Sequence, residues 1–303
     1  QGVVEKSSGS SVLDLGDGVF CLEFHSKMNA VTGDILAMTH KAIKRAETEG
    51  VGLVIGNQGA NFSVGANLML LAVAMAEGAY EDINMMVRVF QKATMAVKLA
   101  KVPVVAAPFN MTLGGASEYC LHAAAINAYA ETYMGMVEVG VGLLPAGGGT
   151  KEMCLRASEL ATRHDTDVTP FIFKYFKQIG MAKFPMGAAE LFDMGYMRTG
   201  DSVSMDMDRL LSDAKQKVLA LSVNFRPKRP MDNIPAPGRS VAASIKSQLW
   251  NLQMGGFASE YDAEIGSIIA SIICGGDVPA GLPVSEDYLL QLEREGFLKL
   301  CGN

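Results

Sequence analysis

Pro103-Val104-Val105-Ala106-Ala107, an apolar and β-prone run, passes through Leu113-Gly114-Gly115 into the helix-prone Ala116-Ser117-Glu118-Tyr119-Cys120-Leu121-His122. Strand, glycine loop and helix in that order make one step of a layered α/β fold. The step before it reads the same way. Val51–Ile55 is a short buried-looking strand, Gly56–Gly65 a glycine-rich loop, and helical patterning resumes at Ala66. Between the two, Glu81–Ala100 places Ile83, Met86, Val87, Phe90 and Val97 on one helical face. Upstream, Thr32–Glu49 carries Ile35, Met38, Ala42, Ile43 and Ala46 at helical spacing, with Thr32 as N-cap and Gly50 as stop. Val12–Leu15 and Gly18–Phe24 are β-prone runs parted by Gly16-Asp17, a hairpin signal. Downstream, Ala125–Ala130 is another strand and Leu143–Thr150 a Pro/Gly loop before a helix. The alternation predicts a sheet with crossover helices.

The second half changes character. Apart from a short strand near Asp201–Ser204 it offers helices over Pro170–Gly180, Met186–Met194, Met207–Ser222, Ser240–Met254, Ser259–Cys274 and Ser285–Leu298. Arg226–Gly238 holds four of the eleven prolines and reads as an irregular connector. Two regions are therefore expected, a core over 1–225 and a helical extension over 226–303. Length agrees, since 303 residues at about 150 per domain suggest two domains or one large one. No repeat of fixed period is visible.

Composition excludes several classes. Hydrophobic residues make up 49% and charged residues 19%, enough to bury a core. The longest unbroken apolar stretch, Leu68–Ala76, falls well short of the roughly 18 residues a membrane span needs. A net charge of −6 gives no broad basic footprint for nucleic acid. Cys21, Cys120, Cys154, Cys274 and Cys301 stand singly and the four histidines are scattered, so metal-ligand spacing is absent. The same cysteine pattern reads as reduced thiols in a cytoplasmic protein. The nineteen methionines, mostly at helical spacing, read as core filler. His122, on an Ala-rich helix, reads as a core or cap residue.

Two loops carry the chemistry. Asn61–Asn67 and Thr112–Glu118 each place glycine before a helix, where backbone N–H groups are unpaired and a ligand can approach closely. If they converge they make an anion site or a two-donor oxyanion hole; otherwise they are ordinary strand-to-helix turns. Neither is a nucleotide motif: the chain has no G-x-x-x-x-G-K-[ST], no G-x-G-x-x-G after its first strand and no G-x-S-x-G. Glu118 and Glu138 sit in apolar stretches, where a carboxylate is costly unless paired, hydrated or protonated. The alternative for each is a carboxylate capping a helix N-terminus.

Three segments, F-S-V-G-A-N at Phe62–Asn67, P-V-V-A-A-P with L-G-G-A-S-E between Pro103 and Glu118, and M-V-E-V-G-V-G-L-L-P-A-G-G-G-T at Met136–Thr150, resemble the crotonase (enoyl-CoA hydratase/isomerase) superfamily. Order and intervals fit over about residues 12–225. The resemblance implies an α/β, crotonase-like ββα spiral with additional C-terminal helices. A narrower likeness joins L-D-L-G-D-G-V, Gly52–Gly59 and the S-E-Y-D and S-E-D-Y-L-L-Q-L-E-R-E runs to the hydratase part of fused 3-hydroxyacyl-CoA dehydrogenase/enoyl-CoA hydratase proteins. It implies a dehydrogenase domain upstream, with NAD bound there and no cofactor in this segment.

Carried over by position, Ala66 and Gly115 match the family's oxyanion-hole amides, and Glu118 and Glu138 its two hydratase acids. CoA contacts would fall on Met28, Ala30, Val64, Asn67, Leu68 and Met69, with Gly114 beside the substrate. The implied activity is addition of water across the 2,3-double bond of an enoyl-CoA in fatty-acid β-oxidation. An enoyl-CoA isomerase and a non-catalytic acyl-CoA-binding module are the alternatives. Family trimers imply a homo-oligomer, which the extra helices could block. This chain departs from the pattern at Asn67, where Asp is common, at the offset Lys27–Ala30 turn, at Ala116-Ser117, and in a longer Thr162–Phe184 region.

Overall fold

The computed structural model describes residues 2–302. In chain order the strands and helices are β1 (Gly2–Lys6), β2 (Ser10–Asp14), β3 (Val19–Phe24), α1 (Gly33–Glu49), β4 (Gly52–Ile55), α2 (Leu68–Ala76), α3 (Tyr80–Leu99), β5 (Val104–Ala106), β6 (Asn110–Leu113), α4 (Gly115–His122), β7 (Ala125–Tyr129) and β8 (Thr132–Gly135). They continue with α5 (Gly149–His164), α6 (Thr169–Gly180), α7 (Ala188–Asp193), β9 (Ser202–Ser204), α8 (Leu210–Ser222), β10 (Ile234–Pro235), α9 (Arg239–Met254), α10 (Glu260–Ile273), β11 (Pro283–Val284) and α11 (Glu286–Cys301).

The chain forms two compact units, one of residues 1–72, 88–135 and 184–229, the other of 73–87, 136–183 and 230–303. The first is built on a seven-stranded sheet in the order β1-β2-β3-β4-β5-β7-β9. Its first three strands are antiparallel, and β3 to β9 pair in parallel. Strands β4 and β5 are buried along their whole length, as parallel strands covered on both faces must be. On the sheet lies α1, whose face Ile35, Met38, Ala42, Ile43 and Ala46 is the predicted one and is buried. Thr32 occupies the predicted N-cap position with extended backbone, although its hydroxyl makes no capping bond. Leu210, Ala214 and Val218 of α8 are buried as well.

Strands β6 and β8 form a separate parallel pair that the periodicity did not reveal. Each is four residues long and alternates poorly, so neither rises above its loop in sequence. Ser63 bridges onto Thr112, bringing the first glycine loop beside β6. Loops leaving the carboxyl ends of β4 and β5 therefore meet.

The second unit is helical. The inward face of α10 is Ala263, Ile265, Ile269, Ile272 and Ile273, and its start is fixed by a reciprocal capping box between Ser259 and Asp262. Ser285 caps α11 by accepting from the Tyr288 N–H at 3.1 Å. Around the N-terminus of α5 lies a buried ionic cluster. Lys151 Nζ is 2.6 Å from Glu152 Oε1 and 3.3 Å from Glu286 Oε1, and all three side chains are at most 2% exposed.

One expectation fails. Nine of the nineteen methionines are exposed, Met69, Met186 and Met205 by more than 70%, and among the described residues just Met38, Met134, Met136, Met153 and Met197 are fully buried. Met111, Met181, Met186 and Met205 lie outside the α-helices, while Met69, Met85, Met86 and Met254 occupy exposed helix positions.

Candidate active site

The first glycine loop is laced to the turn before α1. Val31 donates to the Gly65 carbonyl at 2.7 Å, Ser63 Oγ to the Asn29 carbonyl at 2.6 Å, and Asn29 Nδ2 to the Asn61 carbonyl at 3.0 Å. These bonds bring Met28, Ala30, Val64 and Asn67–Met69 into one neighbourhood. Met28 adopts a left-handed φ of 58° and is 58% exposed, and Leu68 and Met69 are also exposed. Ala30 and Val64 are half-buried. Asn67 caps α2, its Oδ1 accepting from the Met69 N–H at 3.1 Å. Asn29, Asn61 and Ser63, which hold this cluster, were not singled out from sequence; their side-chain-to-backbone bonds leave no periodic trace.

Convergence of the two loops is visible at Gly65. Its φ is +85°, and a methyl group there would lie 2.5 Å from the Leu113 carbonyl oxygen and 3.0 Å from the Gly115 nitrogen. Ala66 and Gly115 are thus held on adjoining segments of the same unit. The neighbouring amides are used internally, Gly65 donating to Ser63 Oγ at 3.1 Å and Gly114 to the Gly135 carbonyl at 2.8 Å. Among the described residues, the Ala66 and Gly115 N–H groups donate to nothing. Gly115 is also the first residue of α4, where the helix dipole places partial positive charge.

Every residue of α4 is buried. The Phe90 ring lies against Gly115, so close that a methyl there would be 2.5 Å from Phe90 Cζ. Phe90 packs edge-on against Tyr119 with centroids 5.6 Å apart, and the Tyr119 hydroxyl is 3.1 Å from Thr39 Oγ1 on α1. Ser117 Oγ lies 2.6 and 2.9 Å from the carbonyls of Thr112 and Gly135. Glu118 follows Gly115 by three residues, on the same face of the helix, and is 2% exposed. His122 is buried, its Nδ1 2.6 Å from the Glu118 carbonyl, as a core histidine would be.

Glu138 belongs to the second unit. It opens a 3₁₀ turn, Glu138–Val141, and is half-buried. The turn ends at Gly142 with φ +79°, and Leu143 N–H returns to the Glu138 carbonyl at 3.1 Å. All five cysteines are buried, and burial first, then Glu23, pushes the Cys21 thiol up to about 12. Cys120, next to Tyr119, is likewise pushed up, by burial first and then by Asp201. No group of acidic, histidine or cysteine side chains that could hold a metal ion exists among the described residues, and no helix among them is long and apolar enough to cross a membrane.

No family model matches the chain. Over all 303 residues it is 43% identical to a probable 3-hydroxyacyl-CoA dehydrogenase of Bacillus subtilis (strain 168), covering 38% of that protein. It is 26% identical, over 93% of its own length, to a putative fatty acid oxidation complex trifunctional enzyme of Rickettsia felis, of which it covers 36%. The chain thus spans well under half the length of these curated relatives. Among solved structures, an enoyl-CoA hydratase from Bacillus halodurans superimposes with a TM-score of 0.63 at 14% identity, over 98% of this chain and 96% of that one. An enoyl-CoA hydratase from Mycobacterium avium subsp. paratuberculosis K-10 gives 0.60 at 18% identity, over 99% and 96%. At such identities the likeness is one of fold.

Proposed function

From a chain that carries the crotonase fold of enoyl-CoA hydratases, we propose a hydratase that adds water across the 2,3-double bond of an enoyl-CoA, giving a 3-hydroxyacyl-CoA in β-oxidation. The observation that carries the reading is the pair of undonated amides, Ala66 and Gly115, on segments packed together at Gly65. Attack of water at C3 pushes charge onto the thioester oxygen as an enolate. Two fixed N–H donors facing that oxygen stabilise the enolate more than the neutral thioester, which is what lowers a barrier. Glu118, buried on α4 behind Gly115, takes one side of the proton traffic. Glu138 is assigned the other on the sequence resemblance: one carboxylate removes a proton from the water while its partner delivers one to C2.

Exposed apolar side chains of Met28, Leu68 and Met69 around the Asn29–Ser63 lacing suit the CoA end of the substrate. The names of the longer relatives support a further proposal, that this chain is one part of a protein that also carries an NAD-dependent 3-hydroxyacyl-CoA dehydrogenase, consuming the hydratase product.

The test is loss of the enoyl-thioester absorbance of crotonyl-CoA on adding the purified chain, with the product identified as 3-hydroxybutyryl-CoA. Binding without turnover would overturn the reading in favour of an acyl-CoA-binding module; conversion of a 3-enoyl-CoA alone would favour the isomerase. Gly65→Ala probes the carrying observation directly. Its methyl would strain a left-handed backbone and push Leu113–Gly115 aside. Turnover is expected to fall by about 10²–10³-fold, the usual loss when one oxyanion donor is removed. Unchanged turnover in Gly65→Ala would remove the amides from the mechanism.

A further inference from the structure

The turn that opens with Glu138 is closed by its own backbone bonds, Gly140 donating to the Val137 carbonyl, Gly142 to Val139 and Leu143 to Glu138. It is one 3₁₀ turn, with Gly140 and Val141 exposed and Gly142 left-handed. It is also tied to the C-terminal helices of the same unit. The Tyr261 hydroxyl, on α10, donates to the Gly142 carbonyl at 2.8 Å. The Tyr261 ring lies over Gly142, where a methyl would sit 3.2 Å from Cε1. Two residues on, Leu144 is fully buried and packs where α10 and α11 cross, since a methyl on Gly296 would lie 3.1 Å from Leu144 Cδ2 and 2.6 Å from Ile268 Cγ2. Farther along, Glu293 of α11 accepts from the Gly148 N–H at 2.8 Å and from the Lys151 N–H at 2.7 Å. Gly148 has no side chain with which to cap α5 itself, so a carboxylate from α11 does it.

Three attachments over 142–151 thus run to one helical pair. We propose that α10 and α11 position Glu138, with Tyr261 as the positioning residue that sets the orientation of the Glu138–Val141 turn. This rests on Glu138 acting as one of the two hydratase acids. A reacting carboxylate must be held within about half an ångström of its productive place, and groups that fix it contribute to rate without touching substrate. Burial first, then Glu264 and Cys301, raises the Tyr261 phenol above its ordinary value. The hydroxyl therefore keeps its proton, and its role as donor, throughout the neutral range.

Tyr261→Phe in the full chain tests this, because it keeps the ring over Gly142 and deletes one hydrogen bond. The expected results are a roughly tenfold fall in kcat for crotonyl-CoA hydration, KM within about twofold of wild type, and faster hydrogen exchange at the Gly140 and Gly142 amides. Those amides donate within the turn, to Val137 and Val139 carbonyls. The Glu118 amide of α4, bonded to the Gly114 carbonyl, should exchange as before. Unaltered exchange at Gly140 and Gly142 would overturn the positioning role, as would faster exchange with kcat unchanged. Loss of the hydratase reading looks different: wild type itself would fail to hydrate crotonyl-CoA, while the exchange measurement would still decide whether Tyr261 anchors the turn.

Discussion

Glu118→Gln is expected to lower the turnover number for crotonyl-CoA hydration by about 10²–10⁴-fold, the usual contribution of one general acid or base. At 1.36 kcal/mol per decade this is about 3–5 kcal/mol of lost transition-state stabilisation. The substitution keeps volume and hydrogen-bonding shape inside a helix whose every residue is buried, so the change falls on proton transfer rather than on packing. KM should move little, because the amides of Ala66 and Gly115 and the Met28–Met69 neighbourhood are untouched. Glu138→Gln should behave alike, and the double variant should lose far less than the product of the two single losses, as residues acting as one unit do. Stopped-flow or steady-state absorbance at the enoyl-thioester band reads all three. A Glu118→Gln protein that turns over at the wild-type rate sinks the assignment.

The second large effect is on stability. Lys151→Met would withdraw the ammonium that lies 2.6 Å from Glu152 and 3.3 Å from Glu286, two carboxylates that are 2% and 1% exposed. Breaking a buried ion pair from one side strands charge in a poor solvent, at a cost of about 3–5 kcal/mol. Glu286 Oε2 also accepts from the Met231 N–H at 3.0 Å, so the disturbance would spread to the segment leading into β10. Urea unfolding should show the midpoint moving down with an unchanged slope. A loss under about 1 kcal/mol would mean that the cluster neutralises itself without the lysine. Replacing all three residues by apolar ones of similar volume should restore much of the loss, because the desolvation penalty disappears with the charges.

What the sequence disclosed follows from period and punctuation. The hairpin of β2 and β3, the α1 face ending at Gly50, the buried run of β4 and the C-terminal helices all announce themselves, since spacing and caps are local properties. Strands β1, β6 and β8 do not. Strand β1 pairs locally with β2 but is exposed or half-buried along its length, so no apolar face marks it, and β6 and β8 are too short to show alternation. At the candidate site, glycine loops marked the amides, and apolar surroundings marked Glu118. The lacing by Asn29, Asn61 and Ser63 stayed invisible, because a polar side chain bonding a distant carbonyl looks like any loop residue. Tyr261 lies 119 residues from the carbonyl it holds, and no spacing rule spans that distance. The methionines misled because Met111, Met181, Met186 and Met205 fall outside the α-helices altogether, while Met69 lies on α2 among Leu68, Leu70 and Val73, which are exposed as well.

Glu293 reaches back 145 residues to the Gly148 amide. During synthesis the first turn of α5 therefore waits for its acceptor until α11 has emerged from the ribosome. So long a span makes this clasp a contact of high sequence separation, whose loop-closure cost precedes its reward. Without α11 the Gly148 and Lys151 N–H groups lose their carboxylate acceptor and turn to water instead.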